Sequence, residues 1–322
     1  MKNRSRLIVS VFIVLLISAA MVAFVGCGGD DASDIYLSLS ERGAWGPHGG
    51  FAVTAWGANR MLYIYAVSSS GNSTKLLTKS DDDGDYGDEG GRHPTYGVVN
   101  GERYIFMSAR RNGKDSIYRI DASAGDDNQD ATLITAPPGD GADSMPDVSE
   151  DNTKIVFVTT QDTGNQQIAV ADIDGSNREV ILSEAGANLR WPVFNDDGTK
   201  IAFERRVIGD DQSDIWVCNA DGSDPQELLG SDFDEGAPAW SPDGNTILFH
   251  SDRNGPYYDI WAMDADGTNG RAYTSTSRND GYPIWSADGE DLAFIRDREL
   301  WKVNFTADED ERDYDRVTRQ YD

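Results

Sequence analysis

The 322-residue chain is short of cysteine, histidine, lysine and glutamate, with 2, 3, 7 and 13 of each, and every shortage closes off a class of protein. Two cysteines, Cys27 and Cys218, cannot support a disulfide-stapled scaffold, so stability must come from packing. Three histidines leave little for an imidazole metal cluster. Few lysines leave 28 cationic side chains against 56 acids, and a net charge of −28 repels a polyanion, so no nucleic-acid partner is expected. No Gly-x-Ser-x-Gly elbow, HExxH, CxxC or phosphate-binding glycine loop occurs, which removes the common hydrolase, zinc-protease, redox and nucleotide signatures. What the chain has in quantity is 43 Asp and 33 Gly, residues that favour turns and disfavour helices. With 39% hydrophobic and 10% aromatic residues it can still bury a sizeable core, and the composition leans all-β.

The N-terminus reads as an export signal. Lys2, Arg4 and Arg6 precede an apolar run from Leu7 to Phe24, interrupted only by Ser10 and Ser18. Such a run could remain as a membrane anchor. Phe24-Val25-Gly26-Cys27, however, resembles the bacterial lipobox, in which small residues precede a cysteine that is lipidated and becomes the mature N-terminus. That resemblance implies a signal peptide over residues 1–26, lipid on Cys27, a short linker over 27–33, and an exported lipoprotein on the periplasmic or cell-surface side. Cys218 lies in the apolar segment Ile215-Trp-Val-Cys218 and is expected to be a buried, inert thiol.

A repeat of about 46 residues organises the remainder. Pro94-Thr-Tyr96, Pro146-Asp-Val148, Pro192-Val-Phe194, Pro238-Ala-Trp240 and Pro283-Ile-Trp285 each precede a turn and then an apolar strand bearing Phe106, Phe157, Phe203, Phe249 or Phe294. Successive phenylalanines are 51, 46, 46 and 45 residues apart. A third strand follows, as in Asp214-Ile-Trp216, Asp259-Ile-Trp261 and Glu299-Leu-Trp301, then a Gly turn and a fourth. A degenerate first unit is placed on Ile35–Ser40, Gly50–Ala55, Met61–Val67 and Lys75–Thr78. Six four-stranded units over residues 34–322 predict an all-β, six-bladed β-propeller, with the periodic Phe and Trp packing between blades. A monomer is expected.

Pro-x-Trp-Ser-Pro-Asp-Gly followed by Ile-x-Phe and Asp-Ile-Trp resembles the TolB-type propeller repeat of bacterial envelope proteins, most closely over 238–263 and 283–303. The resemblance implies an envelope location and, for the family's namesake, an α/β domain ahead of the propeller and work with the Tol-Pal system. Only a few residues separate Cys27 from the first expected strand, which leaves no room for that domain here and puts the Tol-Pal role in question.

In a propeller the turns after the first and third strands share one rim. The opposite rim gathers Arg110, Arg111, Arg205, Arg206, Arg253 and Arg296 from the second-to-third loops, and Arg92, Arg190 and Arg278 from the inter-blade loops, which is 9 of the 21 arginines. His93, His250, Tyr257 and Tyr258 join them. These arginines either pair with rim acids such as Asp210, Asp211, Asp252, Asp234 and Glu235, or present forked donors to an anionic partner. Under the second reading Arg110, Arg205, Arg253 and Arg296 should converge near the channel mouth. The acid-rich loop Asp81-Asp-Asp83-Gly-Asp85 could offer oxygen ligands to Ca²⁺, but aligned on Gly84 it places Lys79 where the first ligand belongs. No other cofactor is expected. The functional expectation is a lipid-anchored envelope module binding a protein, peptide or glycan. The alternative is a glycan-processing lyase or glycosidase on the same scaffold, for which facing carboxylates or clustered histidines in a central well would be the mark.

Overall fold

A computed structural model describes residues 43–46, 50–56, 62–68, 74–76, 91–122, 131–161, 164–307 and 312–317. Its 24 strands form six four-stranded antiparallel sheets, each from four strands consecutive in sequence, so the chain is a six-bladed propeller. The inner strands of blades two to six are Arg92–Val99, Asp143–Val148, Ala187–Phe194, Glu235–Trp240 and Asp280–Trp285. All five repeat prolines lie on them. The signal segment, Cys27, the acid-rich loop with Asp81, Asp83 and Asp85, and residues 35–40 lie outside the described residues.

The first blade departs from the sequence expectation. Its inner strand is Ala44–Trp45, paired with Phe51–Trp56, and not the segment at 35–40. The signal was present: Trp45-Gly-Pro-His-Gly49 follows the register of Trp240-Ser-Pro-Asp-Gly244, with Gly and His in place of the hydroxyl and carboxylate that mark the turn elsewhere.

Six hydrophobic clusters fill the six gaps between blades. Phe157 packs with Phe106 and Ile117 of the blade before it, Phe203 with Val156 and Ile168, Phe249 with Ile215, and Phe294 with Leu248 and Ile260. The five repeat phenylalanines are at most 1% exposed. The ring closes where Phe51, Val53 and Val67 of the first blade meet Ile284, Ile295 and Leu300 of the last. Cys218 sits in one of these interfaces, and burial pushes its thiol up to about 12, so it is inert at neutral pH.

Two polar devices set the spacing. In Ser241-Pro-Asp-Gly244 the serine hydroxyl donates to Asp243 Oδ1 at 2.5 Å and accepts from the Thr246 amide at 2.9 Å, tying the turn to the start of the second strand. The acid opening the third strand reaches sideways instead. Asp259, 2% exposed, accepts from the Thr276 amide at 3.0 Å, and Asp214 from the Ser231 amide at 3.3 Å, so each clamps the linker to the next blade. At the third-to-fourth turn Gly222 has φ +81°, and a Cβ there would lie 2.0 Å from the Ile181 carbonyl oxygen of the preceding blade. Only glycine satisfies both demands.

Phe249→Ala should therefore cost about 3–5 kcal/mol in urea unfolding, because the ring's other blades prevent the gap from collapsing. A near-neutral midpoint would show that the slot does not lie between blades.

Candidate functional site

Each of the five proline-bearing inner strands carries an irregularity at its proline. His93, Met145, Trp191, Ala237 and Tyr282, the residues preceding the five repeat prolines, have φ of +51°, +53°, +52°, +50° and +56°. Pairing with the second strand slips at the same place, between Arg92 and Thr95, Arg190 and Val193, Gly236 and Ala239, and Gly281 and Ile284. A left-handed residue before proline is unfavourable on two counts, at about 1–3 kcal/mol each, and persists because the surrounding sheet imposes it. Its effect is to turn side chains onto the axis. Trp191 of the fourth blade meets His93 of the second at 5.1 Å and Tyr282 of the sixth at 5.3 Å between ring centroids. Three alternate blades thus close one end of the channel with aromatic rings. Tyr282 continues to His250 at 5.2 Å, and His250 to Tyr258 at 4.8 Å.

Buried polar groups support this layer. His93 Nδ1 shares a 2.7 Å hydrogen bond with Ser108 Oγ. Tyr258 donates its phenol proton to Asp234, whose other oxygen accepts the Ser213 amide. Arg190 donates to Glu204, and Ser213 Oγ donates to the same carboxylate at 3.1 Å. Burial lowers His93 to about 3 and His250 to about 4, so both imidazoles are neutral at physiological pH. Burial also raises Glu204, against the pull of Arg190. Among the described residues no three His, Cys, Asp or Glu side chains are placed to hold a metal ion.

Most of the arginines expected at this rim are engaged within the protein. Arg296 makes a two-pronged pair with Asp280, at 2.7 and 2.8 Å, and its guanidinium lies 5.1 Å over Trp301. Arg253 pairs with Glu235 at 2.5 Å and lies 4.7 Å over Trp261. Arg205 grips Glu184 with two nitrogens and lies 4.9 Å over Trp216. In each of these three blades, the fourth to the sixth, an acid, an arginine from the second strand or just past it, and an indole of the third strand form a transverse sandwich. The carboxylates of Asp280 and Glu235 are fully buried. These three guanidinia brace their blades and do not converge on the channel mouth. Arg92 pairs with Asp115 at 2.8 Å, and Arg111 lies over Tyr118. Arg110 is exposed, Arg206 reaches Asp211 at 3.5 Å, and Arg278 reaches Asp297 at 3.2 Å in solvent.

The same rim is more apolar outside than its charge suggests. Val207, Ile208, Phe233 and Tyr257 account for four of the six large hydrophobic side chains exposed among the described residues. Their loops are joined. Gln212 donates to the Asp232 carbonyl, the Asp234 amide donates to Asp252 at 3.0 Å, and Arg253 lies over Phe233. Tyr258, expected on this surface, instead turns inward to Asp234.

The opposite end is open. A cavity of about 350 Å³ occupies the mouth on the Ser-Pro-Asp-Gly side, and the inner strands of all six blades line it. Its wall carries Trp45, Tyr96, Phe194, Trp240 and Trp285, four of them two residues after a repeat proline and Trp45 at the equivalent place in the first blade. As the repeat predicts, these aromatics pack in or against the clusters between blades, and they line the cavity as well. Their recurrence at the end of the innermost strand, where blades converge, was the available sign that they border the channel.

This architecture is that of a β-propeller with one end closed by side chains and the other open, a scaffold that presents loops and a central mouth. The sequence profile of the TolB beta propeller domain matches residues 143–320, more than half of the chain, and the chain belongs to that family. It is 32% identical over 108 residues to the Tol-Pal system protein TolB of Alcanivorax borkumensis, a match covering 32% of this chain and 24% of that protein. The chain therefore matches only about a quarter of that relative's length. Among solved structures, the putative TolB from Agrobacterium tumefaciens superposes with a TM-score of 0.61 at 16% identity, covering 76% of this chain and 84% of that one. An oligogalacturonate lyase in complex with manganese superposes at 0.59 with 15% identity, covering 93% and 85%. At these identities the structural likenesses establish the fold alone.

Arg296→Ala should cost about 3–5 kcal/mol, since it strands the Asp280 carboxylate in the interior. Arg296→Met with Asp280→Asn should recover most of that loss in thermal unfolding. Equal destabilisation of single and double variants would mean that the pair is not the coupled unit.

The buried histidines set an acid limit. Their folded values lie below the ordinary 6.5, so the unfolded chain takes up these protons first, and stability falls as pH drops from about 6.5 towards 4. Each histidine contributes a slope of up to about 1.4 kcal/mol per pH unit in that window. His93→Asn should flatten the measured fall between pH 6.5 and 4.5. An unchanged slope would show that His93 is not the group being protonated.

Proposed function

We propose that the protein is a cell-envelope binding module, held at the membrane by lipid on Cys27, that captures a protein or peptide partner on the arginine-bearing rim. The observation carrying this reading is the joined loop surface with Ile208 at 52%, Phe233 at 42% and Tyr257 at 41% exposure. Arg206 and the neighbouring acids Asp210, Asp211 and Asp232 surround these side chains, giving apolar anchors within a polar rim, the usual anatomy of a protein-recognition patch. Loops on a rigid β-scaffold are where recognition commonly resides. The solvent-facing cations Arg110 and Arg278 would select local carboxylates on the partner, whereas Arg206 is tied to its own loop through the Asp210 carbonyl and Arg205, Arg253 and Arg296 support the loops from beneath. Kinship with the Tol-Pal system protein TolB supports an envelope setting and a protein partner.

Two measurements test this. Phe233→Ser with Tyr257→Ser should abolish partner crosslinking in cells, while Leu133→Ser on an outer strand leaves it intact; retention by the rim variant would remove the rim as the binding face. Cys27→Ser should move the protein out of the membrane fraction. Mass spectrometry that finds an unmodified Cys27 within an intact N-terminus would overturn the lipid anchor.

A further inference from the structure

The open cavity on the other side of the molecule has a chemistry of its own, independent of the arginine-bearing rim. At about 350 Å³ it lies at the small end of ligand pockets, suited to one or two side chains rather than a folded partner. Besides its aromatic wall it is bordered by Asp147, Glu150 and Asp196 from two adjacent blades, against Arg103 as the lone cationic residue of its lining. Much of the wall's hydrogen-bonding capacity is already used. The Trp285 indole N–H donates to the Ala239 carbonyl at 3.1 Å, Asp147 Oδ2 accepts the Phe194 amide at 3.0 Å, and Asn152 Oδ1 accepts the Val98 amide at 2.6 Å. The wall therefore offers aromatic surface and negative charge more than neutral donors.

The surroundings reinforce the sign. Asp151, Asp243 and Asp288 stand on the turns that encircle this mouth, and their own serines, Ser149, Ser241 and Ser286, donate to them at 2.7, 2.5 and 2.6 Å. Asp197 is held in the same way by Thr199 and Asn195. Those hydrogen bonds hold all four carboxyls below the usual range, so the ring of charge persists into mildly acidic solution. Within the lining, Glu150 is raised by burial and by the neighbouring charge of Asp196, a repulsion that a bound cation would relieve. Ring faces beside carboxylates form the standard receptor for a desolvated cation, and a concave acidic mouth concentrates cations from solution.

We infer that the turn-side cavity binds a cationic side chain, lysine or arginine, presented by a basic peptide segment, between the aromatic wall and the Glu150–Asp196 edge. The test is isothermal titration of the whole protein at 0.15 M salt with acetyl-Gly-Arg-Gly-Arg-Gly-amide and with the same peptide carrying citrulline, which keeps the shape of arginine without its charge. The arginine peptide should bind at least about tenfold more tightly than the citrulline peptide. Glu150→Gln with Asp196→Asn should weaken it at least about fivefold, while Glu179→Gln with Glu227→Gln, an equal charge change at exposed positions on outer strands, should alter it by less than about twofold. Trp285→Ala should also weaken it, with its fold checked by its own unfolding midpoint, because the indole packs against Phe305 as well. Equal binding of the two peptides, equal losses from the two charge pairs, absence of binding at about millimolar peptide, or preferential binding of neutral maltotriose would each overturn the inference. Failure of the rim variants in partner capture leaves this result unaffected, so the two readings fall separately.

Discussion

A four-stranded sheet with apolar side chains on both faces needs a neighbour on each side, and that need governs this protein. A sandwich would cover one face of each sheet; a closed ring covers both. Six clusters in six gaps are the outcome; five of them contain phenylalanine, and the one between the first and second blades is filled by Ile64, Ile105, Met107 and Tyr118. Every blade uses four consecutive strands, and among the described residues the first and last blades meet through the side chains of Phe51, Val53, Ile284 and Ile295. The glycine at the third-to-fourth turn is part of the same constraint, since a larger residue at Gly222 would hold neighbouring blades apart.

Ring closure then brings inner strands together on an axis where the pleat alone would leave a pore. The slip before the proline in blades two to six resolves this, and the choice of His93, Trp191 and Tyr282 in alternate blades lets three rings meet on the axis. At the other end of the same strands no such slip occurs, and the channel stays open. The two mouths are thus chemically distinct, one with joined loops bearing exposed apolar side chains and the other with an acid-edged aromatic cavity. A scaffold shared with a TolB and with a lyase is neutral about which mouth works, and only the local chemistry discriminates.

Charge follows a division of labour. Aspartates crowd the turns, where backbone amides and hydroxyls solvate them, while the buried acids Asp143, Glu235 and Asp280 each meet an arginine. Arginine can do what lysine cannot in these places: it forks onto a carboxylate with its edge and lies on an indole with its face. The excess of 21 arginines over 7 lysines in so acidic a chain fits that use. It also explains why a rim rich in arginine in sequence is less cationic in space.

Blade number, strand order and the burial of Phe106, Phe157, Phe203, Phe249 and Phe294 were determined by the sequence alone, because a period of about 46 residues and an alternating apolar pattern have one economical solution. Proximity along the chain carries that information. The first inner strand was missed because its turn lacks the Ser and Asp that announce the others, although Trp45-Gly-Pro kept the register. Everything that depends on contacts between blades, or across one, was left to the tertiary structure. Arg253 and Glu235 are 18 residues apart and Arg296 and Asp280 are 16, but whether such a pair meets or faces solvent depends on how the sheet twists. His93, Trp191 and Tyr282, and likewise Trp45, Tyr96, Trp240 and Trp285, come together only when the ring closes, since side chains from separate repeats share an axis that no single repeat contains.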